Sequence, residues 1–232
     1  MHQQSQPTPP FNAPAARRLR EALGMAPGHV AYGIRASYGL NHITPDHISA
    51  WERGTAAPTA AELSALAGAL WCAPGELLGA ATTLREHRLA RGLAPEDVAR
   101  AVGFDHESYL RMEDSGQWRG NDRQSAALAQ VLGLSPQDFA TVTGLDEKLA
   151  DLLRSAVSTR WQAYVRPISK LLPVDRHRLE DVLEHMHDDY HARMASTLGW
   201  GDSSAEDGGD SGREFLAEIV PVFWAEVREA GA

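Results

Sequence analysis

The chain has 232 residues, 43% of them hydrophobic, enough for one large domain or two to three small ones. No stretch approaches the ~18 consecutive apolar residues that cross a bilayer, so no membrane partner is expected. The net charge of −9 argues at first against nucleic acid, but it is uneven: residues 1–80 are neutral, 81–145 carry −2 and 146–232 carry −7.

Residues 1–12 are Gln/Pro/Ser-rich and read as a disordered tail, with no basic region leading into an apolar run as a secretory signal requires. Cys72 is the single cysteine, which excludes an intrachain disulfide and fits a reducing cytoplasm. Following Trp71 in an apolar helix, its thiol is expected to be packed rather than reactive. Lysine occurs only at Lys148 and Lys170, and with so much Arg, Ala and Gly the composition points to a GC-rich, bacterial coding genome. Helical patterning starts at APAARRLREALG, with Gly24 as a stop signal, and alternating β-branched runs are almost absent, so the chain reads as all-α.

An internal repeat then organises the chain. REALGMAP (Arg20–Pro27) is matched by RLARGLAP (Arg88–Pro95) at an offset of 68. Ile48, Trp51 and Glu52 match Tyr109, Met112 and Glu113 at an offset of 61, which places an insertion near 35–41 (RASYGLN) in the first copy. ALAGALWCAPGELLG then matches ALAQVLGLSPQDFAT at an offset of 62. Two domains follow, 13–80 and 81–144, each of five short helices. In the second these fall near Thr83–Arg91, Pro95–Val102, Asp105–Asp114, Asp122–Leu132 and Pro136–Thr141. Asp105 is the N-cap of the third helix, a role Thr44 takes in the first copy, with Pro45 behind it and Asp46 favourable to the helix dipole.

Residues 145–200 read as two longer amphipathic helices divided near Pro173. Residues 201–212, GDSSAEDGGDSG, read as a disordered acidic linker, and 213–230 as one amphipathic helix that Pro221 bends. Within HMHDDYH, His187 and His191 share a helix face and suggest half a metal site, but His and Asp clustered on an acidic helix read better as a solvated face, and neither a metal nor a cofactor is expected. No phosphate-cradling Gly loop, Ser/His/Asp arrangement or His-Glu-x-x-His motif is present, so an enzyme is not expected.

The second and third helices of each copy, joined in the second by the short turn VGFD, have helix-turn-helix spacing. GLAPEDVARAVGFDHESYLRME and HISAWERGTAAPTAAELSALAGAL resemble the Cro/C1-type (XRE) helix-turn-helix domain, over about Ala15–Leu78 and Thr83–Phe139. The resemblance implies two tandem lambda-repressor-like units, each presenting its third helix to the major groove of double-stranded DNA. It places Trp51 under the recognition helix Thr44–Arg53 and Gly54 at its end, and it pairs Arg20 with Glu52 and Arg88 with Glu113 to set the angle of that helix.

The positions facing base edges fall on Thr44, Pro45, Asp46, His47, Ser49 and Ala50, with Arg53 near phosphate, and in the second copy on Asp105, His106, Glu107, Ser108 and Arg111. Both sets depart from the family's Gln/Arg/Asn/Ser-rich pattern. Asp105, Glu107, Glu113 and Asp114 form a negative cluster that repels phosphate, so the second copy reads bases or serves as a structural or partner-binding copy; Arg119 and Arg123 in its following loop suit the DNA backbone. The insertion either extends helix two toward a groove or packs as a loop on its own domain.

In 145–200, Leu149, Leu152, Leu153 and Trp161, then Leu179, Leu183, Met186 and Tyr190, form either a small third core or a dimerisation or effector surface. The need for two half-sites favours a homodimer, and a protein partner through this region is also open. The reading is a cytoplasmic transcriptional regulator; the alternative is a protein-interaction adaptor that keeps the fold without base readout.

Overall fold

The computed structural model describes residues 8–196 and 205–230, and among them the regular elements are helical, with one isolated β-bridge between Phe11 and Leu78. Two compact units divide after Gly116. The first holds α1 (Ala13–Ala22), α2 (Pro27–Tyr38), α3 (Pro45–Glu52), α4 (Ala60–Ala69), a 3-10 turn (Pro74–Leu77), α5 (Leu84–Ala90), α6 (Pro95–Val102) and α7 (His106–Ser115). The second holds α8 (Asp122–Leu132), α9 (Pro136–Val142), α10 (Asp146–Ser158), α11 (Gln162–Leu171), α12 (Arg176–Ser196), α13 (Ala205–Ala217) and α14 (Ile219–Glu229). No helix among the described residues is long and apolar enough to cross a membrane.

The helix starts have local causes. Pro27, Pro45, Pro95 and Pro136 stand at the first helical position, where the missing N–H would have had no partner inside the helix. Side-chain oxygens of Thr44, Thr59, Thr83, Asp105, Asn121 and Ser135 accept a first-turn N–H at the helices they precede. Val30 and Ile34 of α2, Ile48 and Trp51 of α3, and Leu63 and Leu66 of α4 are buried together, and Leu89 of α5 joins that core. The second unit closes a separate core from α10, α11, α12, α13 and α14.

Several expectations change. Residues 1–7 lie outside the described residues, but 8–12 are not a free tail: the Gly79 N–H donates to the Pro10 carbonyl at 2.7 Å and the Asn12 N–H to the Leu77 carbonyl at 2.8 Å. Phe11, packed against the first core, supplies the burial that the tail's composition lacks.

Where the pattern predicts one helix from Asp146 to Leu172, two form. The Ser158 and Thr159 hydroxyls turn back onto the carbonyls of Arg154 and Ser155, at 2.7 and 2.6 Å, and Thr159 leaves the helical region. The expected linker is helical from Ala205 onward, while 201–204 lie outside the described residues. Packing overrides composition there: Phe215 is buried beside Tyr190, with the Arg193 guanidinium 5.1 Å from its ring centroid. Pro221 does not bend one helix; the chain breaks at Glu218 and restarts as α14, leaving Pro221 in the first turn, where it removes no intrahelical bond.

The apolar stripes of α10 and α12 turn inward. Leu149, Leu153, Leu179, Leu183 and Met186 are buried in the second core, and Leu152, Trp161 and Tyr190 pack on its margin. These residues therefore build a core of this chain. The His187 Nδ1 lies 2.9 Å from the Val157 carbonyl oxygen.

Candidate nucleic-acid interface

The hairpin of α6 and α7 turns in three residues. Gly103 takes the left-handed conformation (φ +77°) that a side chain would disfavour, its N–H donating to the Arg100 carbonyl and the Phe104 N–H to the Ala99 carbonyl. Asp105 follows at once as the N-cap of α7, its carboxylate accepting the Ser108 N–H at 2.8 Å. The Ser108 hydroxyl, followed by that N–H contact, holds the Asp105 carboxyl below the ordinary range.

The corresponding hairpin of α2 and α3 is longer. α2 has 12 residues against 8 in α6, and the connection to the next helix runs over 39–44 against 103–105, so the insertion lengthens both the helix and the loop. The chain then returns through 39–44, held by the Arg35 guanidinium donating to the carbonyl of buried Ile43 at 2.7 Å. Arg35 is thereby occupied within its own unit.

Each hairpin is tied to the helix before it. In α1, Arg20 donates through Nε and Nη2 to the two Glu52 oxygens, and through Nη1 to the Met25 carbonyl at 2.7 Å. In α5, Arg88 does the same to Glu113, both bonds at 2.8 Å, and to the Leu93 carbonyl at 2.9 Å. Burial raises the Glu113 carboxyl, but the hydrogen bonds and charge of Arg88, with Tyr109 and Arg85 behind them, outweigh it and leave the group below its usual range. Burial, then the Glu113 charge, pushes the Tyr109 hydroxyl far up, so it stays neutral beside the pair.

Arg85 changes the electrostatic picture. It donates to Glu113 at 3.2 Å and pairs with exposed Asp114, so two of the four acids in the negative cluster are paired with an arginine of α5. With Asp105 turned to its cap, Glu107 is the exposed acid left without a partner. The signal for Arg85 was legible: it precedes Arg88 by three residues and shares its helix face.

On α7, His106 and Ser108 are half-buried and Arg111 is exposed, its guanidinium donating to the Ser108 hydroxyl at 2.9 Å. His106 lies 3.7 Å from Glu96. On α3, Thr44, Pro45, Asp46 and His47 are exposed and Ser49 and Ala50 half-buried. The His47 Nδ1 is drawn 2.9 Å from the Thr44 hydroxyl, leaving its other ring nitrogen as the outward group, and the Ser49 hydroxyl donates back to the Pro45 carbonyl. Arg53 is exposed without a partner, as is Arg18, whereas Arg17 is paired with Glu21. Arg119 and Arg123 are exposed in the second unit.

Sequence reasoning passed over Trp71. It occupies a left-handed position (φ +55°) and is 88% exposed, where its counterpart at the offset of 62 is Gly133 (φ +59°). Neighbouring Cys72 is half-buried, and burial followed by the Glu76 charge raises its thiol.

Residues 80–142, from the approach to α5 through α9, match a family model described as a helix-turn-helix domain. The match falls on the second of the repeated stretches, the one whose turn is short. No curated protein and no solved structure gives a significant match to the chain. The chain is thus all-α over its described residues, and its residues 80–142 are similar to a helix-turn-helix domain.

Proposed function

We propose that this protein is a sequence-specific, DNA-binding transcriptional regulator of the XRE type, built on two tandem helix-turn-helix units, with α7 and α3 as the reading helices. The observation that carries the reading is the three-residue turn of α6 and α7 inside the matched segment, with the acids behind α7 neutralised by Arg85 and Arg88. Arg111 suits bidentate contact to guanine O6 and N7, with Ser108 and His106 beside it. On α3, His47 and Thr44 are the donors and Asp46 an acceptor for cytosine N4, while Arg53, Arg119 and Arg123 lie along phosphates. Occupancy of a promoter then changes transcription in a cytoplasm. A homodimer belongs to this reading on half-site geometry alone, and sedimentation of the full chain tests it.

The test is binding of the full chain to a pool of GC-rich genomic fragments, followed by salt titration on what is enriched. A recovered repeat whose affinity falls steeply with salt supports the regulator. No enrichment at low salt supports the second reading, an adaptor that keeps the fold without base readout. Exposed Trp71 favours that reading, since a strained, unburied tryptophan is the kind of residue that anchors protein interfaces.

A further inference from the structure

The second unit contains a cavity of about 270 Å³ in which three helices meet. α14 contributes Val220, Pro221, Trp224 and Arg228, which recur along one helix face. α9 contributes Gln137, and α10 contributes Asp146 from its first turn. The Arg228 guanidinium donates to the Gln137 side-chain oxygen at 3.1 Å and makes no ion pair, and Asp146 has no ion-pair partner either. Two opposite charges therefore line one cavity without pairing with each other, together with the apolar Trp224, Val220 and Pro221.

We propose that this cavity binds a small zwitterion with an apolar tail, a free aliphatic or aromatic α-amino acid. Arg228 takes the carboxylate, Asp146 takes the ammonium group, and the tail lies on Trp224 and Pro221. The volume falls just under the roughly 300–1,000 Å³ of pockets for drug-sized ligands, which selects a compact metabolite. Each charge supplies what the other cannot: a ligand with one charge leaves the opposite group of the cavity unmatched. Gln137 lies on α9, within the stretch that matches the helix-turn-helix model, so an occupant bridges α14 to the last helix of that domain. Binding is read on the protein without DNA, so its outcome is independent of the regulator reading.

The experiment is calorimetric titration of the full chain with leucine, methionine and phenylalanine, up to about 10 mM, alongside thermal unfolding. The controls are 4-methylpentanoate and 3-methylbutylamine, each carrying the leucine tail with one charge. The expected result is saturable binding of at least one amino acid, with both controls weaker by about tenfold or more. Arg228→Met and Asp146→Asn each weaken binding by a similar factor, and Arg228→Met leaves the unliganded unfolding transition in place, because Arg228 is exposed and makes a single hydrogen bond. No binding by any of the three amino acids overturns the proposal, as does equal binding of the single-charge controls. Binding that both substitutions leave unchanged overturns it too, because the ligand then sits elsewhere.

Discussion

Arg20–Glu52 and Arg88–Glu113 tie α3 to α1 and α7 to α5 with the same three hydrogen bonds, yet they sit in different surroundings. The side chains of the first pair keep 11% and 9% of their exposure; those of the second keep 8% and 0%, with Arg85 and the Tyr109 ring around the carboxylate. The difference teaches that one pairing can be an adjustable tie in one place and an obligatory plug in another. The Glu113 side chain is fully covered, so its loss would leave a buried Arg88 without the carboxylate that offsets its charge.

The largest effect follows directly. Glu113→Ala is expected to cost about 3–5 kcal/mol, because the Arg88 guanidinium is left buried and unpaired. Glu52→Ala is expected to cost about 1–3 kcal/mol, since Arg20 can still find water. Urea unfolding of both variants measures the gap, and equal losses would break the comparison between the two pairs.

The same pair sets an acid limb. A carboxyl depressed in the folded state stabilises the fold above its ordinary value of about 4.3, and that contribution is lost as pH falls through the lower folded value. Stability should thus fall on acidification below about pH 4, and Glu113→Gln should flatten that limb. An unchanged slope in the variant would assign acid unfolding to the other depressed carboxyls, among them Asp105 and Asp175.

The two reading helices sharpen the comparison on the DNA side. Arg111→Ala should cost about 1–3 kcal/mol at the preferred site and relax the choice of one base, whereas Arg53→Ala should weaken all sequences alike and lower the salt slope by about one. His47→Ala should alter base preference at the position α3 contacts, and loss of preference from neither Arg111 nor His47 would remove base reading from both helices.

The smallest effect concerns the helix ends at Trp71 and Gly133. Trp71→Gly should stabilise the fold by about 1 kcal/mol, since it relieves a left-handed side chain and exposes nothing that was buried. Gly133→Ala should destabilise by a similar amount. Thermal unfolding of the two variants checks the signs, and destabilisation by Trp71→Gly would reveal packing of that ring on its own chain.

Much of the fold was legible because its signals are local. Proline at a first helical position, a capping oxygen before it and a glycine just past the end act through steric contacts and hydrogen bonds within four or five residues. One or more of these signals marks the start of α2, α3, α6, α7 and α9 in the sequence alone. The all-α class follows from the same patterning. Composition failed where packing outweighs propensity: a Gly/Ser-rich segment is helical because Phe215 is buried, and one apolar stretch splits because the Ser158 and Thr159 hydroxyls compete with the helix ladder.

The candidate interface was legible in residue type and less so in charge. The acids behind α7 looked like a barrier to phosphate because a sequence counts charges without their partners. Arg85 reaches Glu113 from 28 residues away, and only the tertiary structure brings that guanidinium to the carboxylate. Depth is of the same kind. Glu52 and Glu113 occupy matching positions in two similar stretches, and what separates them is the desolvation that the surrounding helices impose. The sequence by itself determined where the helices between Pro27 and Val142 begin, because those causes lie within one turn of backbone. Which charges are free, which are neutralised and which faces remain open was decided by long-range packing, because burial and Coulomb energy depend on neighbours that the chain order does not name.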